Sequence, residues 1–197
     1  LPRAAVAIRA GDMPLGTIWA IEGADGLSAD GERALLDGVK VAALHMLHEQ
    51  DVGERERHLR GEVLRAMLAG TRATDDGATR LGLPPGSRAT LVGFATREPD
   101  PGGTVTARVG RAVSQYAAAY RPEVAITTTP DAVYAVVPGA GEGAHRFSVR
   151  ALASSSKATG AVIQAAVSAT HEDLDDLVAL RAEVDAVLGA ALTGQGV

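Results

Sequence analysis

At 197 residues the chain is long enough for one domain or two small ones. It has no cysteine, which excludes a disulfide scaffold, thiolate metal sites and a cysteine nucleophile. Its net charge of −5 comes with no lysine or arginine cluster, so the phosphate-neutralising surface that DNA binding requires is missing. Two Phe, one Trp and three Tyr argue against stacking platforms for single-stranded nucleic acid. No apolar run approaches the ~20 residues of a membrane helix, and nothing at the start resembles a signal peptide. The expectation is a cytoplasmic protein without a membrane partner.

In chain order, Ala4–Arg9 and Leu15–Ile21 are β-rich runs joined by Ala10-Gly11-Asp12-Met13-Pro14, which predicts a hairpin with Trp19 on its second strand. Two strands alone do not stand in water, so partners from elsewhere are expected, and with them a native start before Leu1. Ser28 to Ala69 has no proline and reads as one long helix. Ser28 or Asp30 can cap its first turn, with Glu32 close behind, while Gly70 and Thr71 follow its last apolar residue, Leu68.

Within that helix Leu35, Val39, Ala42 and Met46 fall at i, i+4, i+7 and i+11, and Leu36, Ala43 and Leu47 widen the stripe. Such a face must be buried against something, and Leu35, Val39, Ala42 and Met46 are the predicted dimer face. His48-Glu49-Gln50-Asp51 and Glu54-Arg55-Glu56-Arg57-His58 then alternate charge around Val52, as suits a solvated connector. Leu59, Val63, Leu64, Met67 and Leu68 restore an apolar stripe. Unbroken, about 40 residues at ~1.5 Å each would span roughly 60 Å. Gly53 and Gly61, each ~1 kcal/mol worse than alanine in a helix, are the expected weak points.

The remainder, Ser87 to about Leu192, has its own rhythm. Ala89–Thr96 reads as a buried strand, and after Pro99-Asp100-Pro101-Gly102-Gly103 comes a helix with the stripe Val105, Val109, Val113, Tyr116 and Tyr120, which Pro122 ends. Val124–Thr128 and Ala132–Val137 are two strands with a tight turn between them, roughly Ala144–Ser155 is a shorter helix, and Ala161–Ser168 is a strand. Thr170 is the expected cap of a last helix carrying Leu174, Leu177, Val178, Val184 and Leu188. The order βαββαβα predicts an α+β fold, an antiparallel sheet with helices on one face, preceded by the hairpin and the long connecting helix.

Leu-Gly-Leu-Pro-Pro-Gly at 81–86, Tyr-Ala-Ala-Ala-Tyr-Arg-Pro at 116–122 and Val-Tyr-Ala-Val-Val-Pro-Gly at 133–139 resemble the middle domain of PucR/CdaR-type bacterial transcription regulators. Ala-Val-Ala-Ile-Arg-Ala-Gly-Asp at 5–12 with Leu-Gly-Thr-Ile-Trp-Ala-Ile-Glu at 15–22 resembles the last hairpin of the GAF-like sensor that often precedes it. Glu56-Arg57 with Arg60-Gly61-Glu62-Val63-Leu64 resembles the connecting helix. The resemblance covers nearly the whole chain, although its motifs are packing and turn patterns. It implies the hairpin of a GAF-like sensor at 1–27, a connecting helix at 28–70, a linker at 71–86 and a degenerate GGDEF-like βαββαβ regulatory domain at 87–197. The implied whole is a cytoplasmic regulator in which the helix-turn-helix lies beyond Val197, so that DNA is contacted only through a segment absent from this chain.

Cyclase chemistry in such a domain needs carboxylates to hold Mg²⁺ against a nucleoside triphosphate, one on the first strand and one in the turn of the central hairpin. Here the strand Ala89-Thr90-Leu91-Val92-Gly93-Phe94-Ala95 has no acid, and the turn Thr129-Pro130-Asp131-Ala132 offers Asp131 alone, with no glycine pair. No enzyme activity, catalytic residue, cofactor or metal is therefore expected.

Four other patterns have bland readings that outweigh their functional ones. Gly139-Ala140-Gly141-Glu142-Gly143 lacks the Gly-Lys-Ser/Thr of a phosphate loop and reads as a strand-to-helix turn. His45, His48 and Glu49, at metal-compatible spacing, border an apolar helix face. Ser154-Ser155-Ser156-Lys157 matches a serine acyltransferase string without its companion motifs. Glu172, Asp173, Asp175 and Asp176 suit the dipole at the start of the last helix. Two functional classes follow. One is the non-catalytic sensory and dimerisation part of a regulator that pairs with itself and answers an unknown small-molecule effector. The alternative is a nucleotide- or small-molecule-binding protein derived from a cyclase-like fold, using the cleft between the central hairpin and the Gly139–Gly143 turn.

Overall fold

The structure, a computed structural model, describes residues 3–23, 26–71, 77–84, 86–139, 141–172, 174 and 177–194. The chain divides into two compact units, Leu1–Glu56 and Arg57–Val197.

In the first unit β1 (Arg3–Ala10) and β2 (Met13–Ile21) form an antiparallel hairpin in which Ala5 opposes Trp19 and Ile8 opposes Gly16, with a bulge between Ile8 and Arg9. Among the described residues no third strand joins them. The helix α1 (Ala29–Leu68) begins where the capping pattern placed it. Of the two proposed caps it is Ser28 whose hydroxyl oxygen accepts a hydrogen bond, from the Gly31 amide at 3.1 Å. At the other end Gly70 N–H bonds Met67 O and Thr71 N–H bonds Ala66 O, the paired closure that ends a helix at a left-handed glycine. Helical assignment runs unbroken through Gly53 and Gly61.

The second unit holds the last three turns of α1, the short α2 (Gly77–Arg80), β3 (Ala89–Thr96), α3 (Thr104–Tyr120), β4 (Ala125–Thr128), β5 (Val133–Pro138), α4 (Gly141–Thr159), β6 (Ile163–His171) and α5 (Leu177–Leu192). Its four strands lie in the order β4-β5-β3-β6, every neighbouring pair antiparallel, the arrangement of a split βαββαβ unit. The βαββαβα order is thus the observed one, with only α2 added to it.

Alternate residues of the central strands sort to opposite faces. Val92 and Phe94 of β3 and Val133, Ala135 and Val137 of β5 pack with Val109, Val113 and Ala117 of α3 and Ala144, Phe147 and Ala151 of α4. These two helices share one face, as the pattern predicts. The opposite face is covered as well: Leu91, Tyr134 and Val136 lie under Leu64, Met67 and Leu68 of α1 and Leu177, Leu180, Val184 and Leu188 of α5. Burial on both sides is why these strands read as continuous apolar runs instead of alternating ones. Gly93, mid-strand, lets α5 pack close to the sheet, because a Cβ there would stand 2.4 Å from Val184 Cγ1.

Several expectations need correction. The buried row of α3 is Thr106, Val109, Gly110, Ala112, Val113 and Ala117, while Val105 and Tyr116 are half-buried and Tyr120, in the last turn, is 69% exposed. Thr170 does not cap the last helix. It sits in β6, whose ladder with β3 runs on to the Ala89–His171 pair, and its hydroxyl meets that of Thr90 at 3.0 Å. The shorter helix extends beyond Ala144–Ser155, from Gly141 to Thr159. In α5, Leu177, Val184 and Leu188 are buried as expected and Val178 is exposed.

Candidate functional site

The place where a cyclase would hold its metal is occupied by structural contacts. Thr129 closes the β4–β5 turn by exchanging hydrogen bonds with Ala132, its hydroxyl accepting from Ala132 N–H at 3.1 Å and donating to Ala132 O at 3.0 Å. Asp131 is exposed at that turn. The neighbouring carboxylate, Asp100, turns toward α3 and accepts a hydrogen bond from the Thr106 amide at 2.7 Å, which holds its carboxyl below the usual carboxylate range. Among the described residues no group of three His, Cys, Asp or Glu side chains converges as metal ligands.

The more informative site is the seam between α1 and the edge strand β4. An edge strand leaves unpaired backbone groups, and here a helix covers them. Gly61 allows this approach: a Cβ at that position would stand 2.6 Å from Ile126 O, closer than side chains come to a backbone oxygen. Arg65 donates to Thr127 Oγ1 at 3.3 Å and to Thr128 O at 3.2 Å, and pairs with Glu62 at 3.2 Å. Arg60 donates to Pro122 O at 3.2 Å. Of these contacts the one to Thr128 O satisfies a backbone carbonyl of the edge strand itself, while the others fasten α1 to a strand side chain and to the loop before β4. Beside the seam lies a pocket of about 250 Å³, with Arg57 and His58 of α1, Ser114 of α3 and Thr128 of β4 on its wall and Ala117, Ala118, Val124 and Ile126 beneath.

On the other side of the sheet a polar network fastens α5. Tyr134, 2% exposed, donates its hydroxyl proton to Asp185 at 2.5 Å, and Arg181 lies over its ring at 5.3 Å. Arg181 also pairs with Asp185 at 3.4 Å and donates to Leu68 O, at the end of α1, at 3.4 Å. Burial, reinforced by the Asp185 carboxylate, pushes the Tyr134 phenol up to about 12.

A second pocket, of about 350 Å³, opens where α3 ends and α4 begins. Arg121, Arg146 and Arg150 line it with Tyr116, Tyr120 and Phe147. The rings are in mutual contact, Tyr116 lying 5.0 Å from Tyr120 and 5.8 Å from Phe147 between centroids. Arg121 is held by Glu123 and by Pro138 O, and Arg146 by Glu142. Arg150 has no such partner among the described residues.

The predicted dimer face is half-buried: Leu35, Val39, Ala42 and Met46 all have intermediate exposure. Part of that cover comes from the hairpin, since a Cβ on Gly16 would meet Met46 Cε at 3.3 Å and Ile8 Cδ1 at 3.8 Å. A different row is more open. Val41, Leu44, His48 and Val52 follow one another at i, i+3, i+7 and i+11, with Val41 70% and Leu44 72% exposed. His45, His48 and Glu49 are exposed. Ser155 is buried within α4, with its hydroxyl oxygen unpaired. Gly139 takes φ +101° and donates its N–H to Arg88 O, whereas Ala140 lies outside the described residues. So do Asp173, Asp175 and Asp176, while Glu172 is exposed beside Arg88.

Sequence reasoning missed the seam and the tyrosine network. A glycine inside an otherwise good helix was the available signal for the first. The second was signalled by a tyrosine in an apolar strand together with an Arg–Asp pair at i, i+4 on a helix.

Among the described residues no helix is long and apolar enough to cross a membrane. Residues 68–190, well over half of the chain, match the profile of a family described as a GGDEF-like domain. No curated protein and no solved structure matches the chain.

Proposed function

Because the chain belongs to the GGDEF-like domain family, we propose that it is the non-catalytic sensory and dimerisation part of a cytoplasmic PucR/CdaR-type transcription regulator. In this reading the hairpin is the end of a GAF-like sensor, α1 carries its state onward, and DNA is read by a helix-turn-helix that follows this chain. The observation that carries it is α1 itself. One helix runs from Ala29 to Leu68, and its last turns supply Leu64, Met67 and Leu68 to the core beneath the GGDEF-like sheet. A rotation or shift of such a helix has to be answered by the sheet, which is the two-state element a switch requires.

Pairing of α1 with its mate in a second copy is tested by sedimentation velocity. Charged substitutions at Leu35 and Val39, and separately at Val41 and Leu44, are expected to abolish a dimer while the circular dichroism melt is kept. A wild-type chain that stays monomeric at high concentration overturns the pairing.

The second pocket favours one other reading, a nucleotide- or small-molecule-binding protein derived from a cyclase-like fold. Three guanidinium groups beside three aromatic rings suit an anion with a planar ring, next to the Gly139–Gly143 turn. Titration with GTP and Mg²⁺ decides: heat that disappears in Arg150→Ala supports this reading, and no heat removes its motive.

A further inference from the structure

We propose that the pocket between α1, α3 and β4 binds a small organic monoanion, a carboxylate with a single-ring or short aliphatic body. Its floor is apolar, built from Ala117, Ala118, Val124 and Ile126, while its α1 wall is cationic. Glu62 is the acid on that wall, and Arg65 neutralises it at 3.2 Å. That leaves Arg57, a residue of intermediate exposure on the pocket wall, without a hydrogen bond or ion pair among the described residues, with the exposed His58 beside it. A cation that lines a pocket with an apolar floor and lacks a partner favours an anion, and a carboxylate matches the guanidinium fork.

Orientation has a donor as well. Thr127 Oγ1, in a residue 4% exposed, accepts from Arg65 and keeps its own proton to give. The volume, about 250 Å³, is just below the range of drug-sized ligand sites, which selects a body of one ring.

A ligand seated here touches α1, α3 and β4 together, so it strengthens the seat of α1 on the sheet edge. The binding claim stands on the unit Arg57–Val197 alone, and only its regulatory consequence rests on the regulator reading above.

The test uses the 197-residue chain labelled with ¹⁵N, titrated with sodium benzoate as the probe and with benzamide as its neutral counterpart. Benzoate is expected to shift the amides of Gly61, Ala118 and Ile126 saturably, and benzamide to bind at least about tenfold more weakly, as loss of a charge-assisted hydrogen bond implies. Arg57→Ala should weaken benzoate by a similar factor. Ala118→Phe, which fills the pocket, should abolish binding; Ser114→Leu serves if that variant does not fold. Absence of saturable shifts with benzoate overturns the proposal, as does equal binding of benzamide or wild-type affinity in Arg57→Ala. Sedimentation of the same samples separates the two claims. Binding without a dimer removes the pairing alone, and a dimer without binding removes the pocket's role alone.

Discussion

The two units handle their apolar residues differently. In Arg57–Val197 the sheet is buried on both faces, and its core runs from Leu64 through Phe94 and Tyr134 to Leu188. In Leu1–Glu56 the one apolar side chain buried to that degree among the described residues is Ile8, while Trp19, Ile21, Leu36, Val41 and Leu44 are each more than half exposed. A two-stranded hairpin against one helix cannot enclose what it carries, whereas four strands between two helical layers can. The contrast teaches that the second unit encloses its own core, while the first leaves several large apolar side chains on its surface.

Mutations can break or sharpen that contrast. The largest effect is expected for Phe94→Ala, which empties the centre of the α3–α4 face and should cost about 3–5 kcal/mol in urea unfolding. A loss under 1 kcal/mol would mean that this core is looser than described.

Gly61→Ala comes next. Alanine is intrinsically the better helix former by ~1 kcal/mol, yet its Cβ would press on Ile126 O, so a net loss of about 1–3 kcal/mol is expected. A stabilised variant would show that α1 does not sit tightly on β4.

Tyr134→Phe removes the hydroxyl that donates to Asp185 and should cost about 1.5 kcal/mol at neutral pH. Its pH dependence has a definite sign. The phenol titrates near 10 when unfolded and at about 12 when folded, so its contribution is complete below pH 10 and is lost as the pH rises toward 12. Thermal melts from pH 9 to 12 should therefore fall more steeply for wild type than for Tyr134→Phe, and parallel curves would remove the tyrosine from the account.

The smallest effect belongs to the other unit. Leu44→Gln removes an exposed leucine and should change the stability of the dilute chain by no more than about 0.5 kcal/mol. A loss of several kcal/mol would show that Leu44 is covered in solution.

Much of the fold was legible in the sequence. Ala89–Thr96 was placed to the residue, and α1 to within one residue at each end, because capping and turn residues mark those limits locally. Tyr120 was misplaced because it continues the apolar period of α3, although its ring lies outside the core, 69% exposed and against Tyr116. Thr170 followed by acids reads as a cap, and nothing local tells that β6 runs past Ser168 to pair Thr170 with Thr90 and His171 with Ala89. Of the candidate sites, the Gly139–Gly143 segment reaches the second pocket through Gly143, in the first turn of α4. The seam pocket was not legible, because its wall joins α1 to residues of α3 and β4 that are far away in the chain.

The sequence by itself determined the order of elements, the limits of α1 and the family pattern, since periodicity and turn chemistry are properties of neighbouring residues. Tertiary structure alone decided that α1 covers the sheet edge, that Gly61 is an approach and not a weak point, and that Arg57 faces a pocket. Those outcomes depend on which distant backbone and side-chain atoms come within a few ångströms, and no local pattern encodes such distances.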